Sequence, residues 1–326
     1  MSDCILLGPP RYEELMAEGV RTLEQAGYRC IPNTSGAPLT MESIAAYADE
    51  CVAVIAGAEP WGAAQLDLLP RLEIVAKCGV GLDTVDLVAA ERRGIVVTNT
   101  PGANSNAVAE LAVALMLAAL RGVVPAGSAL QDGRRIHVIG RELAGRSVGL
   151  VGWGNIAKLV AKRLQGFEVE LRVFDPYIGP TDSPGVDFAS SLEELVSASD
   201  IVSLHLPLTE QTRGLVGADL LASFRPGSVL INTARGGLVD EAALAEALDR
   251  GHLAGAALDV QQDERPGAPN EVRGRENVVL LPHLGAESQE AFDAVGAFNA
   301  EDILATLSGA TPPRRVVAAP NRAEPA

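Results

Sequence analysis

Positive charge is scarce in this 326-residue chain: 26 Lys and Arg stand against 42 Asp and Glu, for a formal net charge of −16. Nucleic-acid binders neutralise phosphates with clustered basic residues. The balance therefore excludes DNA, RNA and anionic membranes as expected partners, and a negatively charged substrate must be held by isolated cations working against the global field. Cysteine is scarcer. Cys4, Cys30, Cys51 and Cys78 are the only four, with no C-x-x-C pair, which argues against a disulfide framework or a zinc site and for free thiols in a reducing cytoplasm. Long apolar runs are missing too. The longest, residues 111–120, has ten residues, about half of the roughly 20 needed to span a bilayer, and is expected to be a buried helix. The first fifteen residues hold one five-residue apolar run and no basic leader, so no signal peptide is expected. No repeat is visible beyond an alternation of strand-like and helix-like segments.

That alternation carries the fold. Hydrophobic residues at 48% and charged residues at 21% are globular values, and the length suits two domains of about 150 residues. Apolar β-rich runs at residues 4–7, 52–55, 73–76 and 95–97 read as strands, with helical segments at 12–26 and 82–93 stopped by Gly27 and Gly94. These predict one α/β unit of about 100 residues. The segment 104–121 is apolar nearly all round and predicts a helix buried on most sides, joining two domains. After a polar loop at 122–144, strands are expected at 148–151, 171–174, 201–204, 229–231, 256–258 and 278–281. A helix is expected from Asp240 and a last one over 287–307. The rhythm is that of a doubly wound parallel sheet. The tail, 311–326, is rich in Pro, Ala and Arg and is expected to fray.

The strand at 148–151 runs into Gly152-Trp153-Gly154-Asn155-Ile156-Ala157 and a helix, and Asp175 follows 23 residues after Gly152 at the end of the next strand. Gly152 permits the tight turn, Gly154 lets backbone approach a pyrophosphate, and Ala157 allows close helix-to-strand packing. The helix N-terminus offers partial positive charge to the phosphates. Asp175 can accept from the ribose hydroxyls and would repel a 2′-phosphate, which favours NAD over NADP. A tight turn without ligand is the competing explanation of a bare glycine pattern.

In an open α/β sheet, ligands bind beyond the carboxyl ends of the strands. Three residues there suit hydride transfer to or from a hydroxy acid: Arg235 in INTARGGLVDE, Glu264 in LDVQQDERP and His283 in LLPHLGAES. Arg can grip a carboxylate with two parallel hydrogen bonds. His is a base near neutral pH, and a neighbouring Glu raises its pKa and fixes its tautomer. Taken singly, Arg235 also suits a helix-capping ion pair, and Glu264 a solvated turn. His137, His205 (in a strand) and His252 read as structural or solvated.

Several blocks in order, KCGVGLDTVDL, GIVVTNTPGANSNAVAEL, GLVGWGNIAK, VSLHLPLTEQTRGLV, INTARGGLVDE and LLPHLGAESQEA, resemble the D-isomer-specific 2-hydroxyacid dehydrogenases, in particular their short phosphoglycerate dehydrogenase-like members. The resemblance implies two doubly wound domains, a Rossmann NAD-binding domain (residues 101–286) inserted in a discontinuous, flavodoxin-like substrate domain (residues 1–100 and 287–326). It implies that Arg235 binds substrate, His283 is the acid/base and Glu264 its partner. The cofactor would be held by Gly152, Gly154, Asn155, Ile156, Asp175, Pro207, Ala234, Asp259 and Gly285, with Pro207 lining the adenine pocket and Asp259 near the nicotinamide. The substrate would meet the amides of Val80 and Gly81, Asn104, and Lys77, which stands where phosphoglycerate dehydrogenases commonly carry an Arg near the phosphate. Lys77 also suits an exposed strand-end charge. Gln261 and Gln262 replace the usual aromatic and its neighbour, and Arg265 separates Glu264 from Pro266, changes expected to shift the loop or reshape the pocket. No C-terminal regulatory domain like that of longer relatives is expected after the last helix.

The function implied is NAD-dependent hydride transfer between a D-2-hydroxy acid and its 2-oxo acid, with D-3-phosphoglycerate as leading substrate and glyoxylate, hydroxypyruvate or another small 2-oxo acid as rival. A non-catalytic, NAD-responsive corepressor-like protein is the alternative of another class, since corepressors share this fold. A homodimer formed through the helix beginning near Asn104 is also implied.

Overall fold

The computed structural model describes residues 3–265 and 267–317. The chain divides into two compact units, one drawn from Met1–Asn104 and Glu287–Ala326, the other from Ser105–Ala286.

The first unit is built on β1 (Cys4–Leu7), β2 (Arg29–Pro32), β3 (Cys51–Ala56), β4 (Ile74–Lys77) and β5 (Val96–Thr98). Every position of β1 and β3 is buried, as expected of parallel strands covered on both faces. The parallel order is β5-β4-β3-β1-β2, the flavodoxin-like arrangement with its switch point between β1 and β3. One face packs Tyr12, Met16, Leu23, Val295 and Ile303; the other packs Ile44, Trp61, Leu66 and Ala89. The helix Gln289–Leu307, capped by Ser288, belongs to this unit and lies on the helix Ala17–Gln25.

The second unit holds β6 (Ser147–Val151), β7 (Glu170–Phe174), β8 (Ile201–Leu204), β9 (Ser228–Asn232), β10 (Leu253–Leu258) and β11 (Val278–Leu280), all parallel in the order β11-β10-β9-β8-β6-β7. Outside β7, Phe188 forms a one-residue parallel bridge to Val173. Counted as a vestigial third strand, it gives 3-2-1-4-5-6 with one strand added, the order of dinucleotide-binding sheets. The helix Ser105–Arg121 is buried along most of its length, against the helix Asn155–Leu164 and against β9 and β10.

The structure departs from expectation at several elements. Residues 122–144 are not all loop: Val123–Gln131 is helical, bent 69° from the helix before it, and no single described helix is long and apolar enough to cross a membrane. Segment 12–26 is two helices, because Met16 leaves helical geometry (φ −124°, ψ 39°). The helix expected over 82–93 is confined to Leu87–Arg92, where the Asp86 carboxylate caps the Ala89 amide. Strand β2 went unpredicted because its four residues are half-buried or exposed and do not alternate cleanly. In the tail expected to fray, Arg315–Val317 forms β12, antiparallel to β5, where it finds the backbone partners an edge strand offers; residues 318–326 lie outside the described residues.

Candidate active site

Gly152, which follows β6, has φ +97°, and a Cβ on it would lie 2.6 Å from the His205 carbonyl oxygen, so both conformation and space require glycine. Around Gly154 the space is open, with no atom within 4 Å of a built Cβ. The helix Asn155–Leu164 begins there with no side chain capping its amides. Asn155 is exposed and Ile156 half-buried, while Ala157 is buried against the sheet. An exposed, uncapped helix N-terminus beside an open glycine turn fits a dinucleotide phosphate. Asp175, just past β7, accepts from the amides of Trp153 (2.8 Å), Tyr177 (2.8 Å) and Ile178 (3.1 Å). It thereby ties the glycine-rich turn to the end of β7. A carboxylate has about four acceptor positions, so one is left for a ribose hydroxyl, alongside the negative charge that repels a 2′-phosphate. Pro207 is exposed, and its carbonyl accepts from the Thr212 hydroxyl at 2.7 Å.

Three loops at the carboxyl ends of β9, β10 and β11 carry the candidate Arg, Glu and His. Asn232, buried at the end of β9, accepts from the Ala234 amide (3.0 Å) and donates to the Arg235 carbonyl (2.9 Å), which fixes the turn carrying Arg235. The guanidinium donates to the Ala234 carbonyl at 2.7 Å. A Cβ on Gly236 would lie 1.9 Å from the Gln261 carbonyl oxygen, so this glycine lets the Arg235 turn press against the loop that follows β10.

On that loop Glu264 reaches His283: Nδ1 and Oε2 are 2.8 Å apart. The hydrogen bond to Glu264 holds the His283 imidazole above its ordinary pKa, against partial burial and the Arg235 charge. Burial is the strongest single influence on Glu264 and pushes it upward, but the His283 hydrogen bond and charge, the Gln261 amide and the Arg235 charge together outweigh it and leave the carboxyl below its usual range. His283 sits at φ +61°, a left-handed conformation that costs a non-glycine residue on the order of 1 kcal/mol. Asp259 holds it there. The Asp259 carbonyl accepts from the His283 amide (2.8 Å), and its buried carboxylate accepts from the amides of Leu284 (2.7 Å) and Gly285 (2.8 Å).

The glutamines that replace the usual aromatic pin this loop. Gln261 Nε2 donates to the Leu281 carbonyl at 2.9 Å. Gln262 donates through Nε2 to the Val239 carbonyl (2.6 Å) and through its amide to Glu241 (2.8 Å). The expected shift of the loop does not separate Glu264 from His283. Arg265 turns outward to Asp263; Pro266 lies outside the described residues. Asn232 and Gly236 were not among the expected site residues, although an Asn ending an apolar strand and an adjacent Gly-Gly are visible signals. His205 lies one residue past β8; burial pushes it down to about 4, and its Nε2 meets the Ser203 hydroxyl at 3.0 Å. It stays neutral.

The remaining predicted residues belong to the first unit. Lys77 ends β4 half-buried, its ammonium donating to the Gly57 carbonyl, so it is not an exposed strand-end charge. The turn 79–81 is held by the Gly79 carbonyl, which accepts from Thr100 (3.1 Å), and by the Val80 carbonyl, which accepts from the Asn99 side chain (2.8 Å). The carbonyls of Gly79 and Val80 are thus engaged. Asn104 Oδ1 is buried without a hydrogen-bond partner among the described residues.

A parallel sheet in dinucleotide-binding order and a glycine turn with a spaced acid define the dinucleotide-binding class of α/β fold, here with an Arg, a Glu and a His at neighbouring strand ends. Comparison with known proteins narrows it. Residues 113–285 match the model of the D-isomer specific 2-hydroxyacid dehydrogenase NAD binding domain, and the chain belongs to that family. It is 43% identical over 244 residues to D-3-phosphoglycerate dehydrogenase of Mycobacterium tuberculosis, covering 74% of this chain and 46% of that protein, so it spans about half the length of such relatives. Hydroxypyruvate reductase of Thermotoga maritima is 41% identical over 243 residues, covering 73% of this chain and 78% of that one. A crystal structure of a protein from Thermus thermophilus matches 96% of this chain and all of that chain, with a TM-score of 0.88 at 35% identity.

Proposed function

We propose that the protein transfers hydride between NAD(H) and a D-2-hydroxy acid/2-oxo acid pair. The observation that carries this reading is the 2.8 Å His283–Glu264 pair beside the Arg235 turn, on the sheet that bears the glycine turn. When bound, NADH supplies the hydride to the substrate carbonyl carbon. Because Glu264 engages Nδ1, Nε2 of protonated His283 is the nitrogen that gives its proton to the carbonyl oxygen; in oxidation it takes the hydroxyl proton back. Arg235 binds the carboxylate and stabilises charge developing on that oxygen. Gly152, Gly154, Asn155, Ile156 and Asp175 hold the cofactor, with Pro207, Ala234, Asp259 and Gly285 completing its site. Lys77, the amides of Val80 and Gly81, and Asn104 are the first unit's substrate-binding groups in this reading.

Two substrate classes have support. Identity to D-3-phosphoglycerate dehydrogenases and the position of Lys77 support a phosphorylated acid; the fuller coverage of hydroxypyruvate reductase supports an unphosphorylated one. The test is NADH oxidation over glyoxylate, hydroxypyruvate and its 3-phosphate. His283→Ala is expected to lower kcat at least about 100-fold while NADH still binds, as followed by its fluorescence. Unchanged turnover in that variant would sink the assignment.

The same reading makes the protein a homodimer. The helix Ser105–Arg121 is largely buried in its own unit, but the segment after it exposes Val123, Val124, Leu130, Val138 and Ile139, and Val138 and Ile139 line a groove of about 400 Å³. A second copy of the chain is the partner proposed for this apolar surface. The four thiols are all free, which supports a reducing, cytoplasmic setting.

A further inference from the structure

In a flavodoxin-like sheet the switch point between the first and third strands is where ligands bind, and in the first unit that crevice is occupied by the side chain of Glu59. Glu59 follows β3 and is 2% exposed. Its Oε1 accepts from the Gly57 amide (2.7 Å) and the Trp61 indole (2.9 Å). Its Oε2 is buried without a partner among the described residues. The glycines that follow β1 and β3 make room for the carboxylate: a Cβ on Gly8 would lie 2.4 Å from Oε1, and one on Gly57 would lie 2.8 Å from Oε2. The Gly57 carbonyl, in turn, accepts the Lys77 ammonium at the end of β4. A buried carboxylate and the strand-end cation are thus joined through a single residue.

We propose that Glu59 is a specificity-determining residue whose buried charge offsets the Lys77 ammonium, so that the site selects singly charged 2-oxo and 2-hydroxy acids over phosphorylated ones. This rests on the reading that Lys77 belongs to the substrate site. A lone ammonium would attract a phosphate dianion. With a carboxylate two hydrogen bonds away, short of donors on one oxygen and shielded from solvent ions, the net field at the strand end is close to neutral, and a second negative charge on the ligand gains little. An acid whose far end is a neutral hydroxyl does not meet that penalty. Glu59 acts on the ligand through the field and through the Gly57 carbonyl that fixes Lys77, without touching the reacting atoms.

The test is calorimetric titration of the full chain with D-glycerate and with D-3-phosphoglycerate, NADH being present so that no turnover intervenes. Wild type is expected to bind D-glycerate the more tightly. Glu59→Gln keeps the shape and the acceptor for Gly57 and Trp61 but removes the charge; it is expected to tighten D-3-phosphoglycerate about tenfold relative to D-glycerate. Glu59→Ala is expected to shift the ratio the same way even if both affinities fall, which loss of a purely structural anchor would not do. A wild-type preference for D-3-phosphoglycerate, or a ratio unmoved in both variants, would overturn the proposal. Because binding is read without turnover, a failure of the hydride-transfer reading shows separately, as no NADH oxidation with hydroxypyruvate.

Discussion

His283 has a left-handed backbone, a carboxylate on Nδ1 and a raised pKa, and each has a distinct physical origin. The backbone is held by Asp259, the tautomer by Glu264, and the pKa by that hydrogen bond working against burial. Because the folded pKa is raised, His283's contribution to stability is full below its ordinary value of 6.5 and is lost as pH rises through the folded pKa. Glu264, lowered from 4.5, contributes above that value and loses its contribution as pH falls through its folded pKa. The pair therefore favours the fold between these limits. In the proposed mechanism reduction requires the imidazolium, so its rate should fall as pH rises through the folded pKa. In Glu264→Gln the hydrogen bond can persist but the charge is gone. The basic limb of the kcat profile for 2-oxo acid reduction is expected to move to lower pH, with the largest loss of rate on that limb. A superimposable profile would show that Glu264 does not tune His283. The residue types were legible in the sequence because each follows an apolar strand; the conformation of His283 was not, since it depends on a carboxylate 24 positions earlier.

At the level of elements, strands were easier to read than the turns between them. Buried parallel strands such as β3 and β6 are continuous apolar runs, whereas β2, short and half-exposed, carries no such run. The helix Val123–Gln131 was hidden by Gly122, Pro125 and Gly127 around its first turns, although Pro near a helix start is tolerated. The replacements at Gln261 and Gln262 looked like a disruption because their partners, Leu281, Val239 and Glu241, come from other segments. Two turns meet backbone to backbone at Gly236. Adding one methyl there would drive into the Gln261 carbonyl, and overpacking of this kind costs typically about 1–3 kcal/mol. Gly236→Ala is thus expected to lower the melting temperature and to separate Arg235 from the Glu264 loop. It should reduce kcat/KM for a 2-oxo acid at least about tenfold, while NADH binding at the Gly152 turn is retained. A variant with wild-type kcat/KM would mean that this close approach is not needed for the chemistry.

For the whole molecule, length arithmetic suggests two domains but cannot say that the chain leaves one and returns to it. That path was implied by family resemblance; the helix Gln289–Leu307 packs with residues from the first strands. The net charge of −16 bears on assembly as well as on substrate. Two copies repel each other over roughly a Debye length, about 10 Å at 0.1 M salt, so a homodimer needs apolar contact strong enough to outweigh that repulsion. The segment that exposes Leu130 (69%) and Ile139 (100%) supplies apolar area with no competing charge at those two positions. Leu130→Glu with Ile139→Glu is expected to remove that area and add two negative charges per copy, converting dimer to monomer in light scattering. For the wild type, raising salt from about 20 mM to 300 mM should tighten the dimer, because screening weakens the repulsion while apolar contact is unaffected or strengthened. A wild-type protein that is monomeric at every salt concentration, or a double variant that stays dimeric, would remove this surface from the assembly.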